Sequence, residues 1–295
     1  LRNGIIVAIG MPDFLKRTCT TEAIVPCSES DYHHNYYIKK LIRQEVKKSM
    51  TRSVKMIFWG ICMFSSLVAG AQTPQDTGKK EQKTVYLFSG LGADSTVFGN
   101  LELPEYHKVY INWIPALRNE SIREYAGRIK SQITTENPDI IGLSFGGIVA
   151  VEVSKQIKID KMVLISSAKT KRELNRVQFF FMKLGLYRII PGSWIQRTNY
   201  LTYQYFGARS PKDKKTLTHL LAHTDVSFFR WALKSIAYWD NKVAPERTIQ
   251  IHGTADRVIT SRLVHPDYRI KGGGHLMVFN KADTISKIIM NYFSE

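Results

Sequence analysis

Cysteine is scarce in this chain. Of 295 residues only Cys19, Cys27 and Cys62 are cysteine, and none follows position 62. Everything beyond that point must therefore fold without a disulfide framework. Long apolar runs are missing too. The longest, residues 56–68, has about 13 positions, fewer than the roughly 17–25 that a membrane-crossing helix needs. Acidic residues are in deficit: 25 Asp and Glu face 42 Lys and Arg, a formal net charge of +17. That surplus raises the question of nucleic acid, yet no nucleic-acid-binding motif accompanies it. The cations are scattered (Lys79, Lys80, Lys169, Lys171, Arg172, Lys212, Lys214, Lys215), the pattern of a solvated surface. No nucleic-acid partner is expected. Weak contact with an anionic membrane or polysaccharide surface is the partner that such a charge allows. The histidine pair in Asp31-Tyr32-His33-His34 has no third ligand nearby, so no metal site is read there.

What is present before position 72 looks like an export signal. Arg52 and Lys55 precede the apolar run, and Ala69-Gly70-Ala71 supplies a small-x-small pattern before Gln72. Residues 50–71 are therefore read as a signal peptide cleaved near Ala71-Gln72, which makes the mature protein secreted or periplasmic. An uncleaved anchor is the alternative. A lipoprotein signal is excluded, because Cys62 lies inside the apolar run and not after the small residues. Residues 1–49 precede a segment that ought to open a protein, and the chain starts at Leu1. They are read as an over-extended N-terminus or disordered tail, with translation starting at Met50 or Met56; a cytoplasmic tail ahead of an anchor is the competing view. Residues 72–83 form a polar, flexible leader. All three cysteines then fall in the removed part. Residues 1–71 carry 10 Lys and Arg less 5 Asp and Glu, or +5, which leaves +12 of the +17 on the mature chain.

The strongest chemical signal is Gly142-Leu143-Ser144-Phe145-Gly146-Gly147. Residues 139–143 read as a short buried strand and residues 148–156 as an amphipathic helix, so a G-x-S-x-G pattern sits at a strand-to-helix turn. Small residues two before and two after the serine let neighbouring backbone approach closely. Ser144 would project above the sheet at a helix N-terminus, where the dipole favours developing negative charge. Two further segments follow. Ile249-Gln250-Ile251-His252-Gly253-Thr254-Ala255-Asp256 is a strand running into a turn that ends in a carboxylate. Tyr268-Arg269-Ile270-Lys271-Gly272-Gly273-Gly274-His275 is a strand, a glycine loop and a histidine. Earlier, residues 84–88 form a buried-strand run followed by Ser89-Gly90-Leu91-Gly92.

From about Lys83 onward the sequence resembles the α/β-hydrolases, in which Ser, Asp and His follow in that chain order, the acid and the histidine each just past a strand. The resemblance implies Ser144 as nucleophile, His275 as general base and then acid, and Asp256 as the orienting carboxylate. It also implies an oxyanion hole from the N–H groups of Leu91 and Phe145. Here the chain departs from the family, whose loop usually reads His-Gly where this one has Ser89-Gly90. No metal or cofactor is implied. Each residue has an ordinary reading as well. Ser144 could be a small residue at a tight turn. Asp256 could cap a helix over residues 257–264, or could serve both purposes. Asp225 and Asp240 are rival acids in helical-looking sequence, and His252 reads as a packed strand histidine. His107, His219, His223 and His265 lack the glycine-loop context.

The expected architecture is α/β: a reduced, mostly parallel sheet of about six strands with helices on both faces. Strands are expected at 84–88, 108–113, 139–143, 161–165, 249–252 and 268–271, and helices at 121–134, 148–156 and 283–292. Residues 84–295 make one domain. Between 168 and 244 the chain is helical and aromatic-rich (Phe179, Phe180, Phe181, Trp194, Tyr203, Tyr205, Phe228, Phe229, Trp231, Trp239), matching in position the family's helical cap. Its aromatics either line an acyl pocket or form the cap's own core and its seam with the sheet. Ser166-Ser167-Ala168-Lys169 matches an S-x-x-K pattern by chance, since it falls at a strand end without its companion motifs. The expected substrate is a small, apolar acyl compound. A non-catalytic binding protein on a hydrolase scaffold and a membrane-associated acyltransferase with the same triad are the competing readings.

Overall fold

The computed structural model describes residues 82–295. The tail at 1–49, the signal peptide at 50–71 and all but the end of the leader at 72–83 lie outside the described residues.

Six strands form one parallel sheet: β1 (Lys83–Phe88), β2 (Tyr106–Tyr110), β3 (Asp139–Leu143), β4 (Met162–Ile165), β5 (Thr248–Gly253) and β6 (Tyr268–Ile270), in the order β2-β1-β3-β4-β5-β6. Parallel strands need long crossovers, and the intervening helices fill both faces. Alternation within the strands divides the core in two. Val85 and Leu87 join Ile141, Leu143, Val163, Ile165 and Ile251 on one face. Tyr86 and Phe88 join Ile140, Met162 and Leu164 on the other. The second face is covered by α1 (Ile122–Ile129) and α2 (Phe145–Ser154). The first is covered by a C-terminal pair, α8 (Met277–Asn280) and α9 (Ala282–Ser294), where Ile285, Ile289 and Phe293 repeat at helical spacing.

Between β4 and β5 the chain leaves the sheet for a helical insertion: α3 (Arg176–Lys183), α4 (Gly192–Ile195), α5 (Tyr200–Phe206), α6 (Pro211–Ala222) and α7 (Val226–Tyr238). Caps define its breaks. Ser210 and Asp213 form a reciprocal capping box with Pro211 in the first turn of α6, and Asp225 accepts from the N–H groups of Ser227 and Phe228 to start α7.

Three expectations need correcting. The second strand ends at Tyr110, three residues before the expected boundary. Ile111 still donates to the Leu87 carbonyl, but Asn112 is held by the Gln132 side chain, and Trp113 turns inward against Tyr125, Phe145 and Phe228. The first helix stops at Ile129 and tightens into a 3-10 turn, because Tyr86 Oη accepts from the N–H groups of Thr134 and Thr135 and draws the chain off the helical path. The helix after Ser144 is not amphipathic. It begins at Phe145, and every residue from Phe145 to Val153 is buried, between sheet, α1 and insertion.

Candidate active site

Ser144 sits at φ 52° and ψ −122°, a positive-φ conformation that costs a non-glycine residue energy. Its surroundings hold it there. Ser144 N–H donates to the Ile165 carbonyl at the end of β4, and its own carbonyl accepts from Gly147 N–H and from Ser167 Oγ. The close packing expected of Gly142 and Gly146 is present. A methyl on Gly146 would lie 2.1 Å from the Ser89 carbonyl oxygen, and one on Gly142 would lie 2.4 Å from Gly147 Cα. Gly147 is a third such position, 2.3 Å from Ser167 Oγ by the same measure. The helix is thereby drawn in against β1 and β3, and the Ser144 hydroxyl stands clear of the sheet.

The structure brings Ser144, His275 and Asp256 together from three separate strand ends. His275 Nε2 lies 2.8 Å from Ser144 Oγ, and His275 Nδ1 lies 2.8 Å from Asp256 Oδ2. Asp256 and His275 are buried. No helix follows Asp256: residues 257–263 form turns. The carboxylate nevertheless caps that turn, because Oδ1 accepts from the N–H groups of Val258 (2.9 Å) and Ile259 (3.1 Å). In place of the expected helix cap, Oδ1 caps a turn, which leaves Oδ2 to face His275. Burial alone would raise its pKa, but attraction to His275 and His252, with hydrogen bonds from His275 and Ile259, holds the carboxyl below its ordinary value.

His252 is closer to this chemistry than a packed strand histidine suggests. Its Nε2 lies 2.9 Å from the Ile259 carbonyl and 3.5 Å from Asp256 Oδ2. Burial pushes its pKa down against the pull of Asp256, which favours the neutral ring. Facing a carbonyl and a carboxylate, Nε2 carries the proton. The i,i+4 spacing to Asp256 was visible in sequence; the turn that folds the two side chains together was not. The rival acids are elsewhere. Asp225 caps α7, and Asp240 is exposed beside Lys171 and Lys242.

Leu91 and Phe145 flank the serine. The loop after β1 passes so close that a methyl on Gly90 would touch Ser144 Cβ at 3.5 Å. Ser89, in place of the expected histidine, ties this loop by donating to the Ala93 carbonyl (2.7 Å), and Ala93 N–H closes the turn onto Gly90. Among the described residues, neither Leu91 N–H nor Phe145 N–H has a protein acceptor. Two free amides at one serine are what a developing oxyanion requires.

The helical insertion is anchored at both loops. Leu276 N–H donates to the Phe206 carbonyl, the Phe206 ring meets the His275 ring edge-on at 5.7 Å, and a methyl on Gly274 would collide with Gly207 Cα at 2.8 Å. Thr224 contacts Gly92. Between insertion and sheet lies a cavity of ≈ 950 Å³ that Ser144 and His275 open into. That is near the upper end of the roughly 300–1,000 Å³ usual for ligand pockets. Its wall is mainly aliphatic (Leu143, Ile148, Leu186, Leu217, Leu221, Ile236), with Trp194, Tyr205 and Phe229 among its aromatics. The insertion's aromatic residues divide between this cavity and the seam with the sheet. Phe228 and Trp231 pack on Tyr125 and Phe145 in the seam, and Trp239 donates to Glu152 in the core. Ser166, the first residue of the S-x-x-K pattern, is buried in a loop, away from any helix start.

Comparison with solved structures agrees with this architecture. The chain is similar to the bromoperoxidase from Bacillus anthracis (15% identity, 72% of this chain and 92% of that one, TM-score 0.55). It is also similar to an esterase from Exiguobacterium antarcticum (14%, 72% and 92%, TM-score 0.57) and to the enol-lactonase from Burkholderia xenovorans LB400 (15%, 72% and 92%, TM-score 0.57). The protein has the α/β-hydrolase fold, as its sequence motifs implied. No family model and no curated protein sequence matches the chain.

Proposed function

We propose that the protein is an exported serine hydrolase that cleaves an ester or related acyl bond of an apolar substrate. The observation that carries this reading is the continuous Ser144–His275–Asp256 hydrogen-bond chain at the floor of an apolar cavity. Similarity to solved structures of an esterase and an enol-lactonase supports an ester-type bond.

In the reaction, Ser144 Oγ attacks the acyl carbonyl carbon while His275 Nε2 takes the hydroxyl proton. Asp256, fixed by its own backbone donors, keeps the imidazole proton on Nδ1 and stabilises the imidazolium. The carbonyl oxygen gains the negative charge and is held by the amides of Leu91 and Phe145, each worth roughly 3–4 kcal/mol to the transition state. Collapse of this intermediate breaks the bond to the alcohol, which leaves with the proton from His275. Water, deprotonated by His275, then attacks the acyl-enzyme and frees Ser144. Export rests on residues 50–71 and predicts a secreted form beginning at Gln72.

The test is a fluorophosphonate probe applied to the full chain, with the adduct mapped by mass spectrometry. Labelling of Ser144, abolished in Ser144→Ala, is expected, together with hydrolysis of a small chromogenic ester. Folded protein that neither labels nor hydrolyses the ester would refute the proposal.

A further inference from the structure

We infer that the outer surface of the helical insertion, centred on residues 176–205, docks on an anionic lipid bilayer. Most large apolar side chains that the fold leaves exposed fall in this one stretch: Val177, Phe180, Leu184, Leu186, Ile189, Trp194, Tyr200, Leu201 and Tyr205, against five others among the remaining described residues. Ile189 is 76% exposed and Trp194 74%. Scattered single residues of this kind are ordinary on a protein surface, but a concentration this dense marks an interaction site. Val177, Phe180 and Leu184 recur at helical spacing along α3 and the turn after it, so they share a face.

Charge selects the occupant. Between Glu173 and Asp213 the chain has no acidic residue, while Arg176, Lys183, Arg188, Arg197, Arg209 and Lys212 are all cationic. Apolar side chains interleaved with cations, in a segment that carries no acid of its own, suit a lipid interface, where rings and aliphatic chains enter the headgroup boundary and cations meet lipid phosphate. A second copy of this chain, with its net charge of +17, would have to overcome like-charge repulsion at this face.

Continuity with the cavity gives the surface a purpose. Leu186, Ile189, Trp194 and Tyr205 are at once exposed and part of the cavity wall, so the patch runs into the mouth of the chamber above Ser144. A docked protein can draw an acyl chain from the bilayer into the cavity without passing it through water. This last step rests on the proposed hydrolase reading; the docking does not.

The experiment follows hydrogen–deuterium exchange in the full chain with vesicles of phosphatidylglycerol, with vesicles of phosphatidylcholine, and without vesicles. Slowed exchange over 176–205 is expected with phosphatidylglycerol, less with phosphatidylcholine, and weaker as salt is raised. In a variant carrying Arg176→Glu and Arg188→Glu, neither of which lines the cavity, the vesicle concentration for half-protection of this segment rises tenfold or more, on the scale of about 1 kcal/mol per surface cation. Hydrolysis of a short soluble ester stays unchanged in that variant. Vesicle binding that protects other regions but not 176–205 would overturn the inference. So would protection of this segment by rising protein concentration alone, which would assign the face to a second copy. Because exchange is read without turnover, a failed docking is distinguishable from a failed hydrolase reading.

Discussion

Replacing Asp256 with asparagine tests the site most sharply, because the structure dictates how the new amide must sit. Oδ1 of Asp256 accepts from the N–H groups of Val258 and Ile259, while Oδ2 faces His275 Nδ1 at 2.8 Å. An asparagine keeps its carbonyl oxygen on the two backbone donors, because the flipped amide would set its NH2 against both and leave them unsatisfied. That arrangement costs about 1–3 kcal/mol per buried group. The NH2 therefore takes the place of Oδ2 and donates to His275 Nδ1. The imidazole proton is forced onto Nε2, which faces Ser144 Oγ at 2.8 Å and can then no longer accept the serine proton. The wrong tautomer and the lost negative charge together cost about 10⁴ in turnover where a Ser-His-Asp triad has been treated this way, or about 5.4 kcal/mol. Initial rates on a short chromogenic ester measure the effect, with circular dichroism and thermal melting showing that the variant is folded. A folded Asp256→Asn protein within tenfold of wild type, beside an inactive Ser144→Ala, would refute the role given to this carboxylate.

Other perturbations have equally definite outcomes. Gly146→Ala places a methyl 2.1 Å from the Ser89 carbonyl oxygen and 2.4 Å from that of Phe88, both backbone atoms; a loss of about 3 kcal/mol is expected, seen as a Tm lower by roughly 6–12 °C. His252→Leu strands the Ile259 carbonyl that His252 Nε2 now satisfies, and denaturant titration should show a loss of roughly 1–3 kcal/mol; an unchanged midpoint would mean that water replaces the ring at no cost. The Asp256 carboxyl is held below its ordinary value, so its contribution to stability is complete above the unfolded value of roughly 4 and is lost as pH falls through the folded one. Acid unfolding of wild type should therefore be steeper below about pH 4 than that of Asp256→Asn. Each methylene added to a straight acyl chain should raise kcat/KM by about fourfold, from roughly 0.8 kcal/mol of burial, until the cavity is filled; a flat profile from acetate to octanoate would contradict an acyl-binding cavity.

Local signals in the sequence determined the strands and pointed to the three side chains that the structure brings together. Buried-strand runs, G-x-S-x-G between strand and helix, and a carboxylate and a histidine each just past a strand are all short-range patterns, and β3 was legible to the residue. Their meaning depends on periods of two and 3.6 and on glycine's freedom, which neighbouring residues alone express. Boundaries failed where a distant group intervened. Gln132 and the aromatic cluster ended β2 early, Tyr86 ended α1, and burial on all sides by sheet and helices left α2 without the exposed polar face of the amphipathic helix expected there. The tertiary structure alone decided that His252 shares Asp256 with His275, that Ser89 ties the loop its replacement put in question, and that the insertion's aromatics divide between seam and cavity. The contacts to His275 and across the insertion join segments far apart in sequence, set by which faces the crossovers bring together; the His252–Asp256 and Ser89–Ala93 pairs lie four residues apart, and there the folded turn decided what spacing alone could not.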